Sequence, residues 1–340
     1  MKQHVYHGGD LKNVKARYPE VKEHWIDLST GLNPVPYPWQ SKVPDEKLLE
    51  AAARLPQTTQ LEECVEAWGS YLGATGGENW LLTSGSQAVI NILPHLLPGY
   101  QAVIAVPNYG EHARVWAPNE RPTIFLNRED IEIYEPEEKQ ILLLTSPNNP
   151  DGYCWPKDVL LQLANRLLNK QGYLLVDEAF GDLAPKQSMV TEAMPPNIIL
   201  LRSFGKFFGL AGVRLGFVCM PETLKAGAIE RLGPWAVNGM AATIGAYALR
   251  DHVWIRETRE RLRANARTFR TILTDSGFKI IGGTDLFCLA EHTDAVNITH
   301  RLNTRAIHVR RFDYSPNWIR FGLAANEDDY DRLREALDDK

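Results

Sequence analysis

The stretch Ser203–Arg214 reads Ser-Phe-Gly-Lys-Phe-Phe-Gly-Leu-Ala-Gly-Val-Arg, which puts Lys206 in a glycine-punctuated turn just after the apolar run Asn197–Leu201. A lysine in an apolar setting can give up its proton and attack a carbonyl, forming a Schiff base. Ser203 and Arg214, on either side of it, suit a phosphate dianion. The three side chains together describe a pocket for a phosphorylated aldehyde, and the commonest cofactor of that kind is pyridoxal phosphate.

Four other segments carry groups that such a cofactor could use, and each has an ordinary alternative. Thr83-Ser84-Gly85-Ser86-Gln87 leads from an apolar run into a helix predicted over 88–97. It is an anion site made of helix N–H groups or a simple N-cap. Tyr109, in Pro107-Asn108-Tyr109-Gly110-Glu111, is a ring stacker or a loop aromatic. Asn149, in Ser146-Pro147-Asn148-Asn149-Pro150-Asp151-Gly152, offers an amide to a ring hydroxyl or is part of a turn. Asp177 opens Asp177-Glu178-Ala179-Phe180 at the end of a buried run, where a carboxylate needs a cationic partner. That partner is a protonated pyridine nitrogen or an arginine. The order of these groups along the chain matches what one pyridoxal phosphate molecule requires. A dinucleotide site is not indicated, because Gly73-Ala74-Thr75-Gly76-Gly77 does not lie between a strand and a helix.

Elements must hold these groups in place. Short apolar runs at Trp80–Thr83, Ala102–Val106, Thr123–Leu126, Ile141–Thr145, Tyr173–Val176, Ile198–Arg202 and Leu215–Met220 alternate with amphipathic helices such as Lys157–Leu168. Runs this short and apolar predict a sheet covered on both faces. Residues 40–225 therefore read as an α/β domain with a mostly parallel, seven-stranded sheet. In such sheets ligands sit beyond the carboxyl ends of the strands, which is where every group above falls. Helices are predicted before it at Asp45–Leu55 and Gln60–Leu72, with Gly73 as a stop. Residues 226–340 read as a smaller α+β domain: a long charged helix near Val253–Thr274, strands at Phe278–Ile281, Leu286–Ala290, Ala306–Val309 and Trp318–Leu323, and a last helix near Glu327–Leu337. Residues 1–39, with Asn33-Pro34-Val35-Pro36-Tyr37-Pro38, form a Pro-rich leader expected to be irregular and to pack with the smaller domain and the active site.

The chain has 340 residues, 44% hydrophobic and 23% charged, with a formal charge of -5. That balance gives no reason to expect nucleic acid or an anionic membrane as partner. No apolar run is long enough for a membrane span, and no apolar segment follows Met1-Lys2-Gln3-His4 as a signal peptide requires. Cys64, Cys154, Cys219 and Cys288 have neither zinc-ligand spacing nor a disulfide framework, so no metal is expected and a reducing cytoplasm is the default.

The set Ser86, Tyr109, Asn149-Pro150, Asp177-Glu178-Ala179, Ser203, Lys206 and Arg214 resembles the fold-type-I pyridoxal-phosphate aminotransferase superfamily, above all its histidinol-phosphate aminotransferase branch. The resemblance spans almost the whole chain. It implies a Schiff-base lysine at Lys206, pyridinium pairing by Asp177, a hydrogen bond to the ring oxygen from Asn149 and stacking by Tyr109. It gives phosphate binding to Gly85, Ser86, Gln87, Ser203 and Arg214, and a substrate anion to Arg320 in Trp318-Ile319-Arg320-Phe321. Two positions depart from the pattern. Phe180 stands where the superfamily has a tyrosine, removing a second hydrogen bond to the ring oxygen. Leu55, in Arg54-Leu55-Pro56, stands where a tyrosine reaches the partner subunit's cofactor phosphate.

The N-terminus is similar to a narrower group. His7-Gly8-Gly9-Asp10, followed by Trp25-Ile26-Asp27-Leu28-Ser29-Thr30-Gly31-Leu32-Asn33-Pro34, resembles the threonine-phosphate decarboxylases of the cobalamin pathway, and Phe180 suits that group too. The resemblance implies decarboxylation of L-threonine O-3-phosphate to (R)-1-amino-2-propanol O-2-phosphate. His7, Gly8, Gly9 and Asn33 would help to hold the substrate phosphate. Two alternatives stay open at this point: a histidinol-phosphate-type aminotransferase, and a catalytically silent protein of the same fold that serves as a partner in a biosynthetic complex. The small partner expected is a phosphorylated amino acid, and a homodimer follows from the resemblance.

Overall fold

The computed structural model describes residues 8–73, 80–190 and 194–338, and the chain divides into two compact units. The larger holds Tyr37–Asn149 and Tyr153–Ile255; the smaller holds the N-terminal stretch up to Pro36, Pro150–Gly152 and the chain from Arg256 onward. The division lies further along the chain than the expected boundary near residue 225. Helix Gly239–Arg250 is the reason. Its small residues Ala241, Ala242, Gly245, Ala246 and Ala248 are buried, and it packs on helix Thr58–Leu72 of the larger unit.

Twelve strands are found among the described residues, β1 (Ile26–Leu28), β2 (Trp80–Thr83), β3 (Gln101–Val106), β4 (Ile124–Asn127), β5 (Gln140–Thr145), β6 (Tyr173–Asp177), β7 (Ile198–Ser203), β8 (Gly216–Cys219), β9 (Lys279–Gly283), β10 (Phe287–Glu291), β11 (Ile307–Phe312) and β12 (Ser315–Gly322). The larger unit has a seven-stranded sheet in the order β2-β8-β7-β6-β5-β3-β4. Only β8 runs against its neighbours β2 and β7. Each of the seven apolar runs became a strand. β5, buried along its whole length, shows why: side chains on both faces are covered, so the run is continuously apolar rather than alternating. One face carries Ile141, Leu143, Leu175, Ile199 and Leu201 and packs against Val89, Ile90 and Leu93 of helix Ser86–Leu96.

The smaller unit has a five-stranded sheet in the order β1-β11-β12-β10-β9. The four strands expected there are present. The fifth, β1, comes from the leader and pairs in parallel with β11, Ile26 to Ile307 and Leu28 to Val309. The leader is thus less irregular than its prolines suggest. Those prolines cluster after Asn33, and upstream of them Asp10 caps helix Leu11–Arg17 by accepting from the Asn13 N–H at 3.4 Å. Among the described residues, no helix is long and apolar enough to cross a membrane.

Candidate active site

The larger unit gathers its polar residues along one edge of its sheet. β6 ends at Asp177, which lies level with Thr145 of β5 and Leu201 of β7. β7 runs on to Ser203, half-buried and opposite Gly216 at the start of β8. Gly216 in turn faces Thr83 at the end of β2. The segments that leave or enter the sheet here carry Gly85, Ser86, Gln87, Tyr109, Asn149, Asp177, Ser203, Lys206 and Arg214.

Arg214 has a left-handed backbone, φ 59°. Its Nη2 donates to the Ser84 carbonyl at 3.4 Å and its Nη1 to the Ala211 carbonyl at 3.3 Å. Gly85 is needed beside it for two reasons. Its φ is +77°, and a Cβ at that position would lie 2.7 Å from Arg214 Nη2. The missing side chain lets a guanidinium lie against the start of helix Ser86–Leu96, where leading N–H groups already favour an anion.

Tyr109 is tied into the same corner. Its hydroxyl donates to Gln87 Oε1 at 3.1 Å, and Gln87 Nε2 donates to Glu111 Oε2 at 3.1 Å. Arg114 holds buried Glu111 at 2.6 Å. Burial, with the nearby charges of Glu111 and Asp177, pushes the Tyr109 phenol up to about 12, so it stays a donor at neutral pH. Asn149 is half-buried in the turn after β5. Its neighbour Asn148 anchors that turn, donating from Nδ2 to the Pro107 carbonyl at 3.0 Å and from its backbone N–H to the Tyr153 carbonyl at 2.8 Å.

Two adjacent carboxylates end β6, and the structure separates their roles. Glu178 is saturated by structural partners: Arg202 at 2.6 Å, the Ser188 hydroxyl at 2.6 Å and the Met189 N–H at 2.6 Å. Arg202 also bonds Asp182 at 2.7 Å. Burial opposes the charge on Arg202, but Asp182 and Glu178 outweigh it and hold the guanidinium pKa above its ordinary value. Among the described residues, no arginine contacts Asp177. Its Oδ1 accepts the Ala179 N–H at 3.0 Å, and its Oδ2 meets His112 Nε2 at 3.1 Å with both side chains buried. An imidazole nitrogen is thus the neighbour that the structure provides for this oxygen, and no guanidinium occupies that place.

His112 is a residue that sequence reasoning missed. It lies on helix Gly110–Trp116, its ring edge-on to Tyr109 at 6.0 Å, and no described residue hydrogen-bonds its buried Nδ1. The available signal was a histidine three residues after the expected ring stacker, in the first turn of the helix that follows the second strand of the sheet.

Lys206 is half-buried in the short helix Phe204–Phe207, and its Nζ lies 5.7 Å from the centre of the Phe180 ring. The turn is braced from behind. Phe208 stacks on Phe204 at 4.4 Å and on Trp254 at 5.6 Å, and its carbonyl accepts the Tyr37 N–H at 2.9 Å.

The smaller unit assembles a group of its own. Arg320, 7% exposed on β12, donates from Nη2 to the Ser29 carbonyl at 2.9 Å. Burial and neighbouring Arg310 push its guanidinium down to about 10. Arg310, on β11, is directly across from Arg320 in the strand register. It too was missed, because strand-to-strand register cannot be read from one strand's sequence. Gly8 and Gly9 rest on Ser29 and Thr30. Asn33 is buried, and its Oδ1 accepts the Val35 N–H at 3.0 Å, fixing the entry to the Pro-rich stretch. His7 lies outside the described residues.

The residues in the larger unit fit pyridoxal phosphate. A cation lies at a helix N-terminus where a Cβ would otherwise fill the space, a buried carboxylate ends a central strand with an imidazole rather than an arginine at Oδ2, and a lysine stands beside an aromatic face.

Comparisons with known proteins agree with that fit. The family model described as aminotransferase class I and II matches residues 23–337. A threonine-phosphate decarboxylase from Sinorhizobium sp is 39% identical, covering 98% of this chain and 97% of its own length. The threonine-phosphate decarboxylase of Pseudomonas aeruginosa is 37% identical over 97% of this chain and 96% of its own. Among solved structures, the histidinol-phosphate aminotransferase from Sinorhizobium meliloti in complex with pyridoxal-5'-phosphate superimposes with a TM-score of 0.79. It covers 98% of this chain and 94% of its own at 18% identity, and so speaks for the fold alone.

Proposed function

The chain belongs to the aminotransferase class I and II family, and from that premise we propose that it is a pyridoxal-phosphate-dependent decarboxylase of L-threonine O-3-phosphate, yielding (R)-1-amino-2-propanol O-2-phosphate. The observation that carries this reading is the 39% identity to a threonine-phosphate decarboxylase along nearly the full length of both chains. We place its product in cobalamin biosynthesis, and the working enzyme as a cytoplasmic homodimer.

When bound, pyridoxal phosphate supplies an electron-poor ring that accepts the electron pair released at the substrate's Cα. The protein's own residues do the rest. Lys206 Nζ is the amine that anchors the aldehyde. Arg214, Ser86, Ser203, Gln87 and the Gly85 backbone would take the phosphate, Tyr109 would lie against the ring, and Asn149 would meet the ring oxygen. Asp177 would offer its charge to the ring nitrogen, while His112 holds the orientation of that carboxylate through Oδ2. Which bond at Cα breaks depends on which one stands perpendicular to the ring, and that is set by where the substrate's two anions are held. Arg320 and Arg310 supply two cations for a phosphate and a carboxylate, helped by Gly8, Gly9 and Asn33. The carboxylate departs as CO2, leaving its electron pair at Cα. Lys206 Nζ then delivers a proton to that carbon. Phe180, facing Nζ at 5.7 Å, brings no hydroxyl to compete for the proton.

The test is to incubate the purified protein and cofactor with threonine phosphate and to follow CO2 and the amine product together. Equal amounts of the two, formed without added keto acid, are expected. Keto-acid-dependent amine transfer with no CO2 would replace this reading by an aminotransferase.

A further inference from the structure

Ser29 is fully buried, and every polar group it carries is used. Its hydroxyl donates to Asp27 Oδ1 at 2.6 Å, and its N–H reaches the same oxygen at 2.9 Å. Its Oγ also accepts the Gly9 N–H at 2.8 Å. Its carbonyl accepts from Arg320 Nη2 at 2.9 Å. A Cβ on Gly8 would come within 2.3 Å of that same carbonyl oxygen. One residue therefore joins three parts that are far apart in sequence: the N-terminal diglycine, strand β1 and the guanidinium on β12. A backbone this close can be approached only by glycine. A buried hydroxyl with a donor on one side and an acceptor on the other has a fixed orientation.

We propose that Ser29 is the positioning residue of the substrate-anion site, fastening Gly8–Gly9 to the peptide that holds Arg320 so that the two groups present one rigid recess to an anion. This rests on the proposed reading of Arg320 and the diglycine as substrate contacts. Ser29 itself touches no substrate. Asp27 orients the hydroxyl, and the hydroxyl orients the diglycine.

The test compares wild-type holoenzyme with Ser29→Ala, Gly8→Ala and the double variant. Loss of one buried backbone-to-hydroxyl bond should raise KM for threonine phosphate about tenfold in Ser29→Ala. Its kcat should stay within about twofold, and its visible cofactor spectrum should be unchanged. Hydrogen exchange at the Gly9 amide should speed up in the absence of any substrate. Gly8→Ala should also raise KM, and the double variant should be no worse than Gly8→Ala alone, because both changes release the same fastening. Wild-type KM and exchange in Ser29→Ala, or additive effects in the double variant, would overturn the proposal. If the wild type releases no CO2 from threonine phosphate, the substrate reading is the part that fails. Inorganic phosphate then decides the positioning role by calorimetry: weaker binding to Ser29→Ala supports it, equal binding refutes it.

Discussion

Asp177 and Glu178 are neighbours with nearly the same burial, 3% and 1% exposed, yet their replacement should fail in opposite ways. Asp177→Asn keeps the shape and the bond from the Ala179 N–H to the side-chain oxygen, and it keeps the contact with His112 Nε2 with the direction reversed, the amide nitrogen donating to the imidazole in its other tautomer. Its melting temperature should stay close to wild type. Its turnover should fall by about 10²–10³-fold, the usual cost of removing a placed charge from a reacting site. Glu178→Gln leaves the buried Arg202 guanidinium with Asp182 as its remaining carboxylate. Breaking a buried ion pair from one side costs about 3–5 kcal/mol, and Asp182 keeps the loss near the lower figure. In a domain the size of the larger unit, about 3 kcal/mol corresponds to a melting point lower by about 6–12 °C. The assay is thermal unfolding of both variants with saturating cofactor, with CO2 release measured well below either transition. The reasoning is refuted by an Asp177→Asn enzyme that turns over within tenfold of wild type. It is equally refuted by a Glu178→Gln enzyme that melts like wild type and is inactive.

Lys206→Ala should abolish both turnover and the visible absorbance of the bound cofactor, and normal CO2 release from this variant would remove the lysine from the chemistry. Inorganic phosphate should raise the melting temperature of wild type but hardly that of Arg320→Met. The charge on Arg320 is held against burial and against Arg310, so an anion relieves it; an equal shift in the variant would place the anion elsewhere. His308, opposite Asp27 in the β1–β11 register, has its pKa depressed below 6.5 by burial, which outweighs the opposing pull of Asp27. The folded state then binds its proton less readily than the unfolded state. Its stabilising contribution is therefore present above pH 6.5 and lost as the pH falls through the depressed value. Urea midpoints should drop between pH 7 and pH 5, and less steeply in His308→Gln; identical slopes would exclude His308 as the source.

The larger sheet was legible because its signal is local. A strand covered on both faces must be apolar at every position, and β5 and β6 announce themselves one residue at a time. The glycine-punctuated lysine turn and the acidic end of β6 were legible for the same reason, since each puts an unusual residue type at the end of an apolar run. Sequence could not say which of two adjacent acids was structural. That depended on Arg202, whose side chain meets Glu178 and Asp182 and so settles the matter in space. The leader's strand was hidden by its length. Three residues carry almost no period-two pattern, and β1 exists because β11 offers it an edge.

The two missed residues follow from the same limit. His112 gains meaning only when a helix turn brings its Nε2 to Asp177, and Arg310 only when the register sets it opposite Arg320. A histidine or an arginine elsewhere on the chain would look no different in composition or spacing. What distinguishes these two is their surroundings. An imidazole with a buried Nδ1 that no described residue hydrogen-bonds is an arrangement that stability alone would select against, and two guanidinium groups opposite one another across β11 and β12 form a pair that only the register reveals. The residues proposed to hold the cofactor can be read from their positions at strand ends. The pair of residues proposed to choose between substrates emerges only from the register that sets Arg310 opposite Arg320.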